Sequence, residues 1–154
     1  AETQFLIDLS RLKEWIDKYE KERNDPFVIP KGFDFYWLPE RGFSEYFFDE
    51  KGILVVYQLC GDIHFWFDLA KLICLAKGGH AVSTVCILPI LPYLRLLKFK
   101  IVKKEERDGH FRFWCKDEAG RKVIATYKGT DEEGNDSYYV TVYVKELYKE
   151  ENDG

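Results

Sequence analysis

No apolar run in this 154-residue chain is long enough to span a bilayer. The strongest candidate, CILPILPYLRLLKFKIV at residues 86–102, already carries charge at Arg95 and Lys98. It therefore stays well short of the ~20 apolar residues that a transmembrane helix needs. The N-terminus is charged from Glu2 onward, which is unlike a secretory signal peptide. We expect a cytoplasmic protein with no membrane partner.

The chain also lacks an excess of basic residues. It has 23 Lys and Arg against 27 Asp and Glu, a formal net charge of −4. Proteins that bind nucleic acid through its phosphates usually carry a basic excess. A nucleic-acid partner is therefore disfavoured, although the count leaves room for a local basic patch.

The cysteines show neither disulfide-framework nor metal-site spacing. Cys60 and His64 are four residues apart and Cys74 and His80 six, which matches no metal motif, so we expect no metal. Cys60 and His64 could form a nucleophile pair, but no third residue can be named to orient the histidine. We expect a reducing compartment and buried thiols at all four cysteines: Cys60, Cys74, Cys86 and Cys115.

Hydrophobic residues make up 46% of the chain and aromatic residues 17%, which is typical of a folded domain with much β-structure. The length suits one domain over residues 1–154. At the N-terminus, apolar residues recur with helical spacing, so an amphipathic helix is predicted that must end before Pro26. Its stripe consists of Phe5, Leu9, Leu12, Ile16 and Tyr19.

The middle of the chain alternates strands with helices. Residues 33–38 are predicted to be extended. The segment SEYFFDEKGILVVYQL (44–59) predicts a hairpin whose second strand is covered on both faces. A helix within 64–79 that ends at a C-cap of two glycines and a buried strand over 81–87 follow, which suggests a crossover connection. In the stretch at 86–102, Pro92 can open a short helix before a further strand near Phe99.

After residue 108 the pattern is purely β. The runs HFRFWCK, RKVIATYK and SYYVTVYVKEL predict a three-stranded antiparallel meander over 109–148, which either extends the main sheet or forms a small subdomain. Residues 149–154 are predicted to fray.

The last run of the meander has two distinct faces. One carries Tyr138, Val140, Val142 and Val144, and the other carries Tyr139, Thr141, Tyr143 and Lys145. One face must cover the core; the other is either an ordinary solvated sheet surface or a contact surface, since tyrosine is favoured in interfaces. Arg112 and Trp114 could extend that surface. The edge of the last strand could also pair two copies into a homodimer.

The order hairpin, central strand, helix, strand, short helix, strand over residues 45–104 resembles the GNAT superfamily of N-acyltransferases. The family's motif aromatic-Tyr-x-x-x-Gly-Phe places its final Phe on Phe99, its Gly on Lys98 and its Tyr on Leu94, with Tyr93 one position early. The resemblance implies an α+β fold, with a mixed, mostly antiparallel sheet flanked by helices over residues 1–108. Short, degenerate relatives of this kind look similar to bacteriophage proteins.

The residues that would bind the family's cofactor depart from its pattern. The family holds acyl-coenzyme A on a glycine-rich loop before a helix, whereas LCGDIHFWF (59–67) offers one glycine, Gly61, followed by Asp62. Asp62 is better explained as the N-cap of the next helix. Our leading hypothesis is therefore a non-catalytic protein-binding module on a degenerate N-acyltransferase-like scaffold, without a cofactor. Its expected contact residues are Arg112, Trp114, Tyr139 and Tyr143.

The alternative is an active acetyl-CoA-dependent N-acetyltransferase with an atypical cofactor loop. The resemblance would then make Tyr93 the general acid, after a one-residue shift in register, and Glu45 the general base. A solvated strand residue is the simpler interpretation of Glu45. The cofactor loop would consist of Gly61, Asp62, Ile63 and His64.

Overall fold

A computed structural model describes residues 2–149, so the prediction for the tail beyond residue 149 lies outside the described residues. Its helices are α1 (Glu2–Arg23), α2 (Ile63–Ala76) and α3 (Ile90–Leu96). Its strands are β1 (Asp34–Leu38), β2 (Gly42–Phe48), β3 (Ile53–Gly61), β4 (Ala81–Cys86), β5 (Lys100–Arg107), β6 (His110–Lys116), β7 (Arg121–Thr130) and β8 (Asp136–Leu147).

The eight strands form one sheet in the order β1-β2-β3-β4-β8-β7-β6-β5. Among the strands described over 2–149, only β3 and β4 are parallel, and α2 makes the crossover between them. The predicted α+β fold, with a mostly antiparallel sheet and an N-terminal helix, is confirmed. The meander of β6, β7 and β8 is also confirmed, and it extends the main sheet instead of forming a subdomain.

The expectation that the last strand has an exposed edge is wrong. β8 lies inside the sheet, where it pairs with β4 on one side and β7 on the other, and the sheet's edges are β1 and β5. The interior place suits the apolar side chains of this strand, since Val140 and Val142 are completely buried there. Over residues 138–142 both edges of β8 are therefore already paired within the sheet.

The two faces of the sheet are covered differently. Helices α2 and α3 pack on one face and form the main core with side chains such as Phe67, Leu94 and Val140. Helix α1 packs on the other face, over β2 and β3, through a smaller cluster centred on Tyr19, Phe43 and Cys60. The first turns of α1 extend beyond this contact, so Phe5, 59% exposed, and Leu9 lie in solvent although both belong to the predicted stripe.

Strand β3 contains an irregularity that affects its neighbours. Ser44 pairs with Leu59 and Tyr46 with Val56, so Tyr57 and Gln58 together oppose the single residue Glu45. This is the geometry of a β-bulge. The pairing of β3 with β4 ends at Val56, close to the bulge, and the two parallel strands separate beyond it.

Candidate functional site

The sheet has a broad surface that no described helix covers. We use the term open face for the side opposite α2 and α3 over β4, β8, β7, β6 and β5. Helix α1 lies on the same side but packs mainly over β1, β2 and β3. The sequence-predicted contact residues Arg112, Trp114, Tyr139 and Tyr143 all lie on the open face, since their neighbours Phe113, Tyr138 and Val142 point into the main core.

The alternation predicted for the last strand is present in β8. Tyr138, Val140, Val142 and Val144 are buried in the core, whereas Tyr139 is 45% exposed and Thr141 and Tyr143 are half-buried. Lys145 departs from the pattern: its Nζ donates a hydrogen bond to the carbonyl of Gly78, 3.1 Å away, just after the C-terminal end of α2. The irregular pairing near Arg121 and Val123 on β7 accounts for this change of direction.

Each large ring of the open face lies beside a cation. The Arg112 guanidinium and the Lys103 ammonium are each 4.8 Å from the centre of the Trp114 ring. Lys122 lies 4.5 Å from the ring centre of Tyr143, and Lys128 lies 5.7 Å from that of Tyr139. These distances are those of cation–π contacts, which hold long basic side chains against the sheet.

A cavity of about 320 Å³ adjoins Arg112 and Trp114. It forms because β6 and β7 pair only between 113–116 and 122–125 and separate beyond Phe113. His110 stacks on Tyr127 at its wall, with ring centres 3.6 Å apart. The volume lies at the lower end of the range of small-molecule pockets, so the open face combines a flat surface with one recess.

In the predicted cofactor loop, the protein's own side chains occupy the N-terminus of α2. One carboxylate oxygen of Asp62 accepts the backbone N–H of Phe65 at 3.1 Å, which confirms Asp62 as the N-cap of α2. Its other oxygen accepts a bond from Arg41 Nη1 at 2.7 Å, and the Arg41 guanidinium lies over the Phe65 ring. The positive end of α2 is thus already paired with a carboxylate.

Gly61 and His64 also have structural roles at the start of α2. Gly61 has a φ of +106°, and a Cβ there would lie 2.2 Å from the carbonyl oxygen of Arg41, so the close approach of β2 and β3 requires glycine. His64 Nε2 lies 3.3 Å from a Glu118 carboxylate oxygen and 3.7 Å from Asp68. Ile63 begins the helix and is half-buried against the main core.

The separated ends of β3 and β4 enclose two neighbouring cavities. The inner one, about 50 Å³, is lined by residues such as Thr84, Cys86 and Tyr93 and has room for only a few water molecules. Tyr93 is 8% exposed, and burial raises the pKa of its hydroxyl. The outer cavity, about 250 Å³, is lined by Lys18, Arg23, Gly61 and Ile63 among others, so it places two cations beside two of the predicted loop residues.

Glu45 is completely buried, and neither carboxylate oxygen has a hydrogen-bond partner among the described residues. The interpretation of Glu45 as a solvated strand residue is therefore wrong. Desolvation, helped by the nearby Asp25 carboxylate, raises the pKa of its carboxyl group to about 7, against a weaker opposing effect of the Gln58 backbone. Its place between Phe43 and Phe47 on β2 is the sequence signal that could have indicated burial.

The segment after α1 covers Glu45 and is fastened by polar contacts that the sequence did not indicate. Asp25 accepts hydrogen bonds from Tyr19 Oη at 2.6 Å and from Gln58 Nε2 at 3.1 Å. Gln58 also donates to the Pro26 carbonyl and accepts the N–H of Val28 at 3.0 Å. The bulge in β3 turns Gln58 toward this segment. Tyr93 belongs instead to the main core, so the structure does not bring Glu45 and Tyr93 to one site.

The other candidate constellations of the sequence do not form sites. All four cysteines are free and buried, as predicted, and burial raises the pKa of the Cys60 thiol, which opposes a nucleophilic role. Within residues 2–149 there is no group of three or more His, Cys, Asp or Glu side chains placed to hold a metal ion. None of the helices described is both long enough and apolar enough to cross a membrane.

Comparisons with protein-family models, curated proteins and solved structures found no match to this chain. Function therefore has to be inferred from the geometry of the open face and of the α2 N-terminus.

Proposed function

We propose that this protein is a protein-binding module whose contact surface is the open face, carried on a scaffold that resembles the GNAT N-acyltransferases. The observation that carries the proposal is the uncovered side of five adjacent strands, with Arg112, Trp114, Tyr139 and Tyr143 on it. A sheet normally buries both faces or makes the second one polar. Here the second face displays the residue types that dominate protein interfaces.

The exposure of these residues suits an interface. Tyr139 and Arg112 are exposed, and Trp114 is half-buried between two cations, so a partner could cover rings that are already held in place. Rigid aromatic side chains lose little conformational entropy when they are covered. Val85, 42% exposed, continues the surface onto β4 as the cross-strand neighbour of Tyr139.

The element order on which the resemblance to N-acyltransferases rests, β3, α2, β4, α3 and β5, is present, with β3 and β4 parallel and α2 between them. One observation favours the alternative of an acetyl-CoA-dependent N-acetyltransferase: Lys18 and Arg23 line a cavity beside Gly61 and Ile63. Against it, Asp62 and Arg41 occupy the N-terminus of α2, and the inner cavity is too small for the arm of a long cofactor. We therefore rank the enzyme second.

A photo-crosslinking experiment tests the proposal. A benzophenone amino acid replaces Tyr139 on the open face or, as the control, Tyr36 on edge strand β1, which is 36% exposed. We expect a discrete cross-linked polypeptide from source-cell extract at position 139 and none at position 36. Substituting both Arg112 and Trp114 by Ala should remove this product while the circular dichroism spectrum stays unchanged. No product at position 139, or the same product at both positions, would refute the proposal.

A further inference from the structure

Basic residues are concentrated on the open face of a protein whose net charge is −4. Lys100, Lys116 and Lys122 are direct cross-strand neighbours on β5, β6 and β7, and we call them the lysine row. Cross-strand neighbours share a face, and Lys116 shares its face with Trp114 two residues earlier. Lys103, Arg112 and Lys128 add three further cations that contact rings of the same surface.

The lysine row destabilises the fold. Like charges directly opposite each other on adjacent strands are destabilising. Lysine on an edge strand protects against aggregation, which accounts for Lys100 on β5. That explanation does not extend to Lys116 and Lys122, since β6 and β7 are interior strands. Among the described residues only Lys122 of the three has an ion-pair partner, Glu146 at 3.1 Å.

We propose that the lysine row binds an acidic protein segment, an inference that rests on the proposed function and specifies the partner's chemistry. Charge complementarity is the reason: a segment rich in Asp and Glu would neutralise a row of cations that the fold otherwise keeps at a cost. The row spans three strands, roughly 10 Å at the usual strand spacing, which matches a short segment.

A single-stranded nucleic acid fits the same surface less well. Sheet proteins that bind single strands stack bases on bare aromatic rings, whereas Lys103, Arg112, Lys122 and Lys128 lie against the rings here. The turn that follows β7 is also strongly acidic, with Asp131, Glu132 and Glu133 in succession. A long polyanion that extended along β7 would meet this turn and be repelled.

The test measures binding of a fluorescein-labelled six-residue peptide of alternating Glu and Asp by fluorescence anisotropy, with a 12-nucleotide oligothymidylate as the competing probe. The test variant is Lys116→Glu. The matched control is Lys104→Glu, because Lys104 is exposed on β5 but contacts Phe111 on the opposite face. We expect saturable peptide binding that weakens with salt, falls about tenfold in Lys116→Glu and stays near wild type in Lys104→Glu.

A stability measurement separates a binding role from a structural one. Lys116→Glu places a negative charge between two lysines, so its melting temperature should rise while peptide binding falls. No saturable peptide binding, an equal loss in both variants, or tighter binding of the oligothymidylate would overturn the inference. If a protein cross-links at position 139 and Lys116→Glu leaves that complex unchanged, this inference fails and the proposed function stands. If peptide binds but nothing cross-links at position 139, the proposed function fails.

Discussion

The buried carboxyl group of Glu45 leads to a quantitative prediction for the pH dependence of stability. Its pKa is raised from 4.5 to about 7 in the folded protein because the group is desolvated and lies near Asp25. In the unfolded chain the group regains its ordinary pKa. Between these two values the folded protein holds a proton that the unfolded chain has lost, so the free energy of unfolding falls as the pH rises.

The size of the effect follows from the shift. Each pKa unit corresponds to about 1.4 kcal/mol, so a shift from 4.5 to about 7 gives a loss of about 3 kcal/mol between pH 4.5 and pH 7. A typical domain of this size has a total stability of roughly 5–15 kcal/mol, so the loss is a substantial fraction. Above the folded pKa the contribution of Glu45 becomes constant.

The perturbation is Glu45→Gln, which keeps the shape of the side chain and removes its ionisation. Urea unfolding monitored by tryptophan fluorescence at pH 5, 6, 7 and 8 would give the free energy of unfolding of both proteins. We expect the difference, variant minus wild type, to increase by about 2.5 kcal/mol from pH 5 to pH 8. The control is Glu14→Gln, which makes the same chemical change at an exposed position on α1.

A constant difference between Glu45→Gln and the wild type would refute this reasoning, because it would mean that Glu45 ionises at the same pH in the folded and unfolded states. A difference that decreases as the pH rises would also refute it. That result would require the carboxylate to be stabilised more strongly than the Gln58 backbone does against desolvation and Asp25.

Three further predictions concern the start of α2. Asp62→Ala should lower the free energy of unfolding by about 1 kcal/mol, because the N-cap of α2 is lost. The exposed ion pair between Asp62 and Arg41 adds little to this value. An unchanged free energy of unfolding in urea would contradict the capping role. Gly61→Ala should lower the free energy of unfolding by at least ~2 kcal/mol, because Gly61 has a positive φ and an added Cβ would clash with the Arg41 carbonyl. Gly129→Ala should lower it by less than ~1 kcal/mol, because open space surrounds Gly129. Equal costs would refute that explanation. Acetyl-CoA at millimolar concentration should leave the melting temperature unchanged, and a saturable rise would instead support the N-acetyltransferase.

The sequence predicted the elements with regular apolar periodicity. The helical stripe located α1, the alternation in 138–144 identified which residues of β8 are buried, and Asp62 indicated where α2 begins. Strand β5 was expected only near Phe99 and Ile101, yet it continues to Arg107. The segment KKEER has no apolar alternation, because an edge strand exposed to solvent does not need one.

Long-range pairing explains what the sequence did not indicate. The interior position of β8 depends on β4 and β7 binding its two edges, and strand order is not encoded in the pattern of a single strand. The burial of Glu45 depends on a bulge in a neighbouring strand and on the segment around Asp25. The lysine row depends on the strand register, which places Lys100, Lys116 and Lys122 side by side.

The position of β8 has a consequence for how the protein is made. Strand β8 joins two halves of the sheet, β1 to β4 and β5 to β7, which share no other strand pairing among the described residues. A nascent chain therefore cannot complete its sheet until residues 136–147 have left the ribosome. Until then β4 and β7 each present a bare edge in a chain that is already apolar and rich in β-structure, a state prone to aggregation. Translation that stalls before Asp136 would release two unjoined half-sheets.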